Sequence, residues 1–267
     1  MDPELKTILC VFAFGLGASI ASFLNVVAWR VPRGESIVRP PSHCPKCNAP
    51  IRWWQNIPIL SWLALRGKCA SCRAPISPRY IIVETIGGLL FLAVAWKFLP
   101  VASAVVLLWI WVSLMLVGSV IDFDHKLLPD FVTIGGIFYG LLVALGFSLK
   151  FGGYGTILYS VVGAALGLGL FGLIRFLGSR AFKREAMGMG DVLLMGAVGA
   201  ISGPVAVLFV LMFSSLAGSL GGLAAMAAMR KWGRNFEIPY GPYILVAHLI
   251  YIFFGGAMIG WYLGLFK

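Results

Sequence analysis

Long, nearly uninterrupted apolar runs restrict the fold of this chain more than any other feature of its sequence. Seven of them are long enough to cross a bilayer as helices, which takes about 20 residues: 5–29, 80–99, 101–121, 131–150, 155–177, 204–229 and 240–266. Only 12% of the residues are charged, against about 25% in soluble domains. Because the lipid interior requires every backbone group to be paired, runs of this length favour helices. We therefore expect an all-α polytopic membrane protein.

The distribution of Lys and Arg indicates one more span, the short apolar piece 192–201. If it crosses and the N-terminus lies outside, 17 of the 21 basic residues fall in the cytoplasmic segments 30–79, 122–130, 175–190 and 230–239. Cytoplasmic loops carry such an excess. Merging this piece with 204–229 would place Arg230, Lys231 and Arg234 on the wrong side. The sequence thus predicts about eight transmembrane helices, with the first run retained as a span rather than cleaved as a secretory signal.

The net charge of +11 does not indicate a nucleic-acid partner. The basic residues flank the apolar runs and do not form a patch interleaved with aromatic residues. We read them as topology signals, and we expect the lipid bilayer as a partner and no nucleic acid.

One polar segment, residues 30–79, interrupts the apolar background and is rich in Pro, Arg, Trp and Cys. We predict three parts: a first helix at 1–29, a cytoplasmic loop domain at 30–79 and a helical bundle at 80–267. The loop carries two Cys-x-x-Cys pairs, Cys44 with Cys47 and Cys69 with Cys72. Two such turns can close a tetrahedral Cys₄ site around Zn²⁺. Disulfides or a redox motif are the alternatives, and a cytosolic location disfavours stable disulfides.

Carboxylates stand at the cytoplasmic ends of several predicted spans. Asp122, Asp124 and Asp130 lie between the third and fourth spans, and Asp191 begins the 192–201 segment. Two carboxylates that share a site cannot both ionise comfortably, so one can act as base on water while the other donates a proton. Two alternatives stay open on the residues alone. Asp191 could cap a helix, or the acids could couple a cation in a transporter with a zinc-stabilised loop.

Four stretches resemble type IV prepilin peptidases, which are bifunctional leader peptidases and N-methyltransferases, and more remotely the GxGD intramembrane aspartyl proteases that include presenilin. The stretches are ASFLNVVAWRVPRGESIVRPPSHCPKC, GKCASCRAPISPRYIIVE, IDFDHKLLPD and GMGDVLLMGAVGA, in family order from near residue 18 to about 200.

The resemblance implies roles for particular residues. The first catalytic aspartate is the one seven positions before the motif proline, here Asp122 before Pro129, and the second is the aspartate of GxGD, here Asp191 after Gly188 and Gly190. Asp124 and Asp130 become supporting groups. The family's paired Cys-x-x-Cys motifs correspond to Cys44, Cys47, Cys69 and Cys72, as ligands of structural zinc.

The resemblance also implies a substrate and a second reaction. A type IV prepilin or pseudopilin in the bacterial inner membrane loses its short basic leader after a glycine at the cytoplasmic face. The new N-terminal residue is then methylated from S-adenosylmethionine. Polar residues at the junction of the loop with the membrane are the candidates for methyl transfer: Asn25, Arg30, Glu35 and Glu84.

Overall fold

The computed structural model describes residues 2–185, 187–229 and 239–265 of the chain, and over these ranges it contains no β-strand. Two short 3-10 turns, Val31–Arg33 and Trp53–Asn56, lie in the loop region. The helices are α1 (Pro3–Arg30), α2 (Leu60–Ala64), α3 (Arg79–Phe98), α4 (Ala102–His125), α5 (Asp130–Phe151), α6 (Gly155–Phe182), α7 (Met189–Met229) and α8 (Gly241–Gly264). Seven of them are long and apolar enough to cross a membrane. The all-α polytopic prediction is confirmed.

The eight predicted spans correspond to seven long helices because two of the predicted spans meet at a break within α7. Helix α7 has 41 residues, which is about 60 Å at 1.5 Å per residue and twice the thickness of a hydrocarbon core. Its backbone leaves helical geometry at Gly203, with φ 81° and ψ −178°, and Pro204 follows. The break falls between the predicted segments 192–201 and 204–229. The basic cluster Arg230, Lys231 and Arg234, which motivated the separation, lies outside the described residues.

Side chains from neighbouring helices satisfy the polar groups at this break. Proline has no N–H and displaces the carbonyl four residues earlier, which here belongs to Ala200. The Ser160 hydroxyl of α6 donates to that carbonyl at 2.5 Å. Beside it, Ser202 and His248 Nε2 of α8 are hydrogen-bonded at 2.8 Å. Because a lipid environment offers no water to replace these partners, the break depends on α6 and α8.

The chain divides into two compact units, Met1–Val117 and Gly118–Lys267. In the first unit α1 packs on α3 through small residues. A Cβ on Gly17 would lie 2.6 Å from the Gly87 carbonyl oxygen, and one on Gly88 would lie 2.8 Å from the Phe14 ring. The boundary between the units falls inside α4, so it differs from the sequence-based division at residues 30 and 80, which stays a prediction.

In the second unit the closest helix packing involves α6 and α7. The backbones meet where Gly163 approaches Gly199 and where Gly167 approaches Met195, and any Cβ at the two α6 glycines would collide with main-chain atoms. Small residues four apart allow this approach. A similar sequence spacing at Gly15 does not mark a packing site, because a Cβ there would meet nothing within 4 Å.

Candidate active site

Asp122 lies in the last turn of α4 and is almost completely buried, with 5% of its surface exposed. Helix α4 ends shortly after Asp122, at His125. The Lys126 N–H donates to the Asp122 carbonyl at 2.8 Å, and Lys126 adopts φ 54°. The carboxylate accepts a 2.8 Å hydrogen bond from the backbone N–H of Gly241, the first residue of α8. Asp122 is thus held in position by a helix 119 residues further along the chain.

Asp191 lies in the first turn of α7 and is half-buried. The backbone of Gly188 forms a hydrogen bond with its carboxylate, and the carboxylates of Asp191 and Asp122 are close enough to interact electrostatically. The two carboxylates proposed from sequence therefore come together in the second unit, at the C-terminal end of one helix and the N-terminal end of another.

Leu128, in the link between α4 and α5, lies against two glycines beside this pair, Gly190 and Gly241. A Cβ on Gly190 would lie 2.9 Å from the Leu128 Cβ. A Cβ on Gly241 would lie 3.3 Å from the Leu128 Cδ2 and 2.8 Å from the Asp122 Oδ2. Larger residues at either glycine would push Leu128 or the Asp122 carboxylate out of place.

The remaining acids and the motif proline lie around the link between α4 and α5. Pro129 precedes α5 as its N-cap residue, with φ −65° and ψ 147°, and so ends the four-residue link from α4. The side chains of Asp124 and Asp130 are exposed. Their exposure distinguishes these two residues from Asp122 and Asp191, and their supporting roles stay a prediction.

Sequence reasoning missed Gly241, whose N–H donates to Asp122, and Leu128, which packs against Gly190 and Gly241. A signal for Gly241 was present, since Gly241-Pro242 opens the last apolar run and such a dipeptide marks a helix start. The contact with Asp122 itself is tertiary and leaves no local pattern.

The four cysteines of the loop form one cluster in the first unit. Their sulfur atoms all lie within 4.8 Å of one another, with 3.8 Å between those of Cys44 and Cys72 and 4.0 Å between those of Cys47 and Cys69. Tetrahedral zinc with Zn–S bonds of about 2.3 Å places sulfurs about 3.8 Å apart. A disulfide bond would be about 2.05 Å long, and all four thiols are free. The donor set and its spacing therefore fit zinc.

The two turns that carry the cysteines have the same local structure. The Cys44 N–H donates to the Ala49 carbonyl and the Cys69 N–H to the Ala74 carbonyl. Backbone N–H groups of Lys46 and Cys47 point at the Cys44 sulfur and lower the pKa of that thiol to about 6. Backbone hydrogen bonds from Cys72 and Ser71 likewise lower the pKa of Cys69. Each turn thus favours a thiolate, the form that binds a metal, at its first cysteine. Despite a backbone hydrogen bond from Ala49, burial and the neighbouring thiols raise the pKa of Cys47 to about 11.

The methyl-transfer candidates have different surroundings in the first unit. Arg30 is buried and donates to the carbonyls of Ser36 at 2.9 Å and Pro40 at 2.8 Å. Glu84 is buried and accepts from the Ile59 N–H at 2.7 Å. Glu35 is exposed. Arg30 and Glu84 therefore fasten the loop to α1 and α3.

Asn25 is the candidate that suggests a ligand. It is 3% exposed, and its side-chain nitrogen has no hydrogen-bond partner. A groove of about 310 Å³ lies at the junction of α1 with the loop. Its lining includes Ser22, Phe23, Arg30 and Asn56 but not Asn25, which lies next to these α1 residues in the chain.

A pair of carboxylates at helix ends, one of which follows a GxGD turn, is typical of polytopic aspartic peptidases. Residues 16–98 match the family described as Bacterial Peptidase A24 N-terminal domain, and residues 109–223 match the Type IV leader peptidase family. No solved structure matches the chain.

Characterised relatives resemble the chain over most of its length. A prepilin leader peptidase/N-methyltransferase of Aeromonas hydrophila is 36% identical, with 95% of this chain and 92% of the relative covered. One of Myxococcus xanthus is 41% identical over 86% of this chain and 67% of the relative. A type 4 prepilin-like proteins leader peptide-processing enzyme of Escherichia coli is 37% identical, with 85% and 87% covered. The chain therefore belongs to the type IV leader peptidase family, and it is an enzyme. Of the two classes that the sequence left open, the peptidase is the correct one.

Proposed function

We propose that this enzyme removes the short basic leader of a type IV prepilin or pseudopilin, after its terminal glycine, by the joint action of Asp122 and Asp191. The pairing of these two carboxylates is the observation that carries the proposal. The substrate class is proposed from the relatives, which are prepilin leader peptidases/N-methyltransferases.

The chemistry requires one carboxylate in each protonation state. The ionised aspartate takes a proton from a water molecule, whose oxygen attacks the scissile carbonyl carbon. The protonated aspartate donates a hydrogen bond and then its proton as the C–N bond breaks and the new amine leaves. Gly241 and Gly188 each fix one carboxylate by a backbone hydrogen bond, so the pair is oriented before substrate arrives.

We propose a topology with the N-terminus outside and both aspartates near the cytoplasmic face of the bacterial inner membrane. Seven membrane-length helices support a multi-pass protein. The position of Asp122 at the end of α4 and of Asp191 at the start of α7 puts both beside helix termini. Water is available at that depth, and peptide hydrolysis consumes one water molecule.

Structural zinc in the loop is part of the proposal. Four protein ligands leave no open position for a reaction, so the ion would stabilise the segment and not catalyse. The loop has little apolar core of its own, since Cys44 is the only residue of 31–79 among the buried hydrophobic residues that the structure describes. Binding of a metal contributes folding free energy that so small an apolar core does not supply.

We further propose methylation of the new N-terminal amine, with the groove beside α1 as the site of the methyl donor. S-adenosylmethionine would supply an electrophilic methyl group. Phe23 offers a face for an adenine ring, and Ser22 and Asn56 offer polar contacts. The volume of about 310 Å³ lies at the lower end of ligand pockets, about 300–1,000 Å³.

Purified enzyme in detergent, incubated with a prepilin, tests the peptidase proposal by the loss of the leader on a gel. Replacement of Asp122 or Asp191 by Ala should lower the rate more than about 10³-fold, because removal of one member of a catalytic constellation has effects of that size. Asp124→Ala is the matched control, since Asp124 is exposed on the same helix end, and it should keep substantial activity. Full activity of Asp122→Ala together with loss in Asp124→Ala would reverse the choice of the first aspartate.

A further inference from the structure

The loop contains a stretch of large apolar side chains that the protein does not cover. We call residues 53–63, which lie between the two cysteine turns, the Trp–Leu segment. Within it Trp53 is 78% exposed, Leu60 64% and Leu63 54%, and Trp54 is also exposed. Contiguous exposed apolar side chains of this size mark an interaction surface.

A hydrogen bond holds the Trp–Leu segment at a defined level along the membrane-spanning helix α3. The Ile59 N–H donates to Glu84 Oε2 at 2.7 Å, and Glu84 lies five residues after the start of α3 at Arg79. Helix α3 has 20 residues, or about 30 Å, which is the thickness of the hydrocarbon core. Because α3 is only as long as the hydrocarbon core is thick, its ends lie at the two membrane boundaries. Glu84 then lies about 7 Å inside the N-terminal end of the helix. Ile59 is thereby held at the level of the membrane boundary.

The short helix α2 is oriented so that its leucines remain open. Trp62 packs on the second cysteine turn, where a Cβ on Gly67 would come within 2.9 Å of its ring. Leu60 and Leu63 are three residues apart, so they share a face of the helix. That face is exposed, while the opposite side contacts the turn.

The charge around the segment suits an anionic surface. Residues 30–79 contain nine Lys and Arg against one acid, Glu35. Arginine is paired with tryptophan twice, Arg33 over Trp29 at 3.7 Å and Arg52 over Trp54 at 5.1 Å. Trp29 lies in the last turn of the membrane-spanning helix α1. Tryptophan collects at the headgroup level of membranes, and basic residues there contact anionic lipid.

From these observations we infer that the Trp–Leu segment is an interfacial membrane anchor. Trp53, Trp54, Leu60 and Leu63 insert at the boundary between headgroups and acyl chains, and the surrounding cations contact phospholipid headgroups. The occupant of the exposed face is therefore lipid, and the loop lies on the membrane surface instead of projecting into the cytosol. Because Asn56 and Pro58 also line the groove beside α1, the anchor would hold that groove at the membrane surface.

Photolabelling in vesicles tests this inference on the full-length protein. Enzyme is reconstituted in phosphatidylethanolamine and phosphatidylglycerol with a phospholipid that carries a diazirine on its acyl chain, illuminated, digested and mapped by mass spectrometry. We expect labels on Trp53, Trp54, Leu60 and Leu63 at yields similar to Leu142 on the exposed face of α5. Asn48, which is exposed in the first cysteine turn, is the internal control and should stay unlabelled.

A variant pair separates insertion from accidental contact. Leu60→Asn with Leu63→Asn should lower lipid labelling of Trp53 and Trp54 several-fold while zinc content stays unchanged. The inference fails if 53–63 stays unlabelled while Leu142 is labelled. Hydroxyl-radical footprinting then identifies the alternative, because modification of Trp53 means exposure to water and protection means cover by protein. Undiminished labelling of the tryptophans in the double Asn variant would also overturn it.

Discussion

At the scale of single residues, the candidate active site depends on backbone positions as much as on carboxylates. Asp122 is buried at 5% exposure and depends on an N–H group supplied by Gly241. The residue at 241 must be small, because a Cβ would lie 2.8 Å from the Asp122 Oδ2. Gly241 is therefore a positioning residue for the proposed reaction.

We predict that Gly241→Ala lowers kcat for leader cleavage about 10- to 100-fold with little change in KM, because it displaces one reacting carboxylate by a fraction of an ångström. Steady-state kinetics with a prepilin measure both constants. Gly256→Ala is the matched control in the same helix, where a Cβ would meet nothing within 4 Å, and it should keep the unmodified rate. Equal rates in the two variants would show that the Gly241 contact is not required.

Asp130 provides a second test at this scale. It is exposed and belongs to the first turn of α5, where a carboxylate stabilises a helix by about 0.3–1 kcal/mol. We predict that Asp130→Asn retains cleavage to within about 3-fold and lowers stability only slightly. A cleavage assay and a thermal unfolding curve measure the two effects, and loss of cleavage in a folded variant would give Asp130 a direct role.

At the scale of elements, the break in α7 is built from three helices. Gly203 has φ 81°, a backbone conformation that costs other residues about 1–3 kcal/mol, and a Cβ there would overlap the Tyr159 ring. Ser160 and His248 pair with groups on either side. The packing of α6 and α8 therefore constrains the break. Asp191 lies in the part of α7 that precedes it.

We predict that Gly203→Ala destabilises the protein by more than about 2 kcal/mol, from backbone strain and the collision with Tyr159 together. Thermal unfolding in detergent gives the direction as a lowered Tm, with Gly169→Ala in α6 as the control, since a Cβ at 169 would meet nothing within 4 Å. A Tm for Gly203→Ala no lower than that of the control would mean that the break is not constrained.

The cysteine cluster allows a prediction for the loop. The purified protein should contain about one zinc per chain, and Cys69→Ser should remove most of it, because three ligands hold the ion less tightly than four. Elemental analysis measures the metal, and limited proteolysis of 30–79 measures the loss of order. Cys10→Ser is the control, since Cys10 is buried in α1 away from the cluster. Disulfides at these positions in protein kept under reducing conditions would contradict the site.

Much of the architecture could be predicted from sequence because lipid imposes simple rules on it. Length and apolarity were enough to find the long helices, and the spacing of Cys44, Cys47, Cys69 and Cys72 was enough to anticipate a cluster. The geometry of the break at Gly203 was not predictable, since charge placement indicated two spans but not how their helices meet. Contacts such as Gly241 with Asp122 depend on the packing of distant elements, so no local pattern encodes them.

At the scale of the whole molecule, the two proposed reactions use residues of different compact units. Both aspartates belong to the unit Gly118–Lys267, whereas Asn25, Arg30, Glu35, Glu84 and the four cysteines belong to Met1–Val117. The carboxylate pair needs water but no methyl donor. Methyl transfer needs a free amine, which exists only after cleavage. The order of the reactions is thus fixed by chemistry, while the machinery for each is separate in the chain.

We therefore predict that the two activities fail independently. Asp191→Ala should abolish cleavage yet still methylate a pilin that already lacks its leader, because its first unit is unchanged. Asn25→Ala should cleave at the normal rate and leave the product largely unmethylated, since Asn25 has the buried amide without a partner. Mass spectrometry of pilin incubated with each variant and S-adenosylmethionine scores leader loss and the added methyl group separately. If folded Asp191→Ala, with its zinc retained, cannot methylate pre-cleaved pilin, a single shared pocket must serve both reactions.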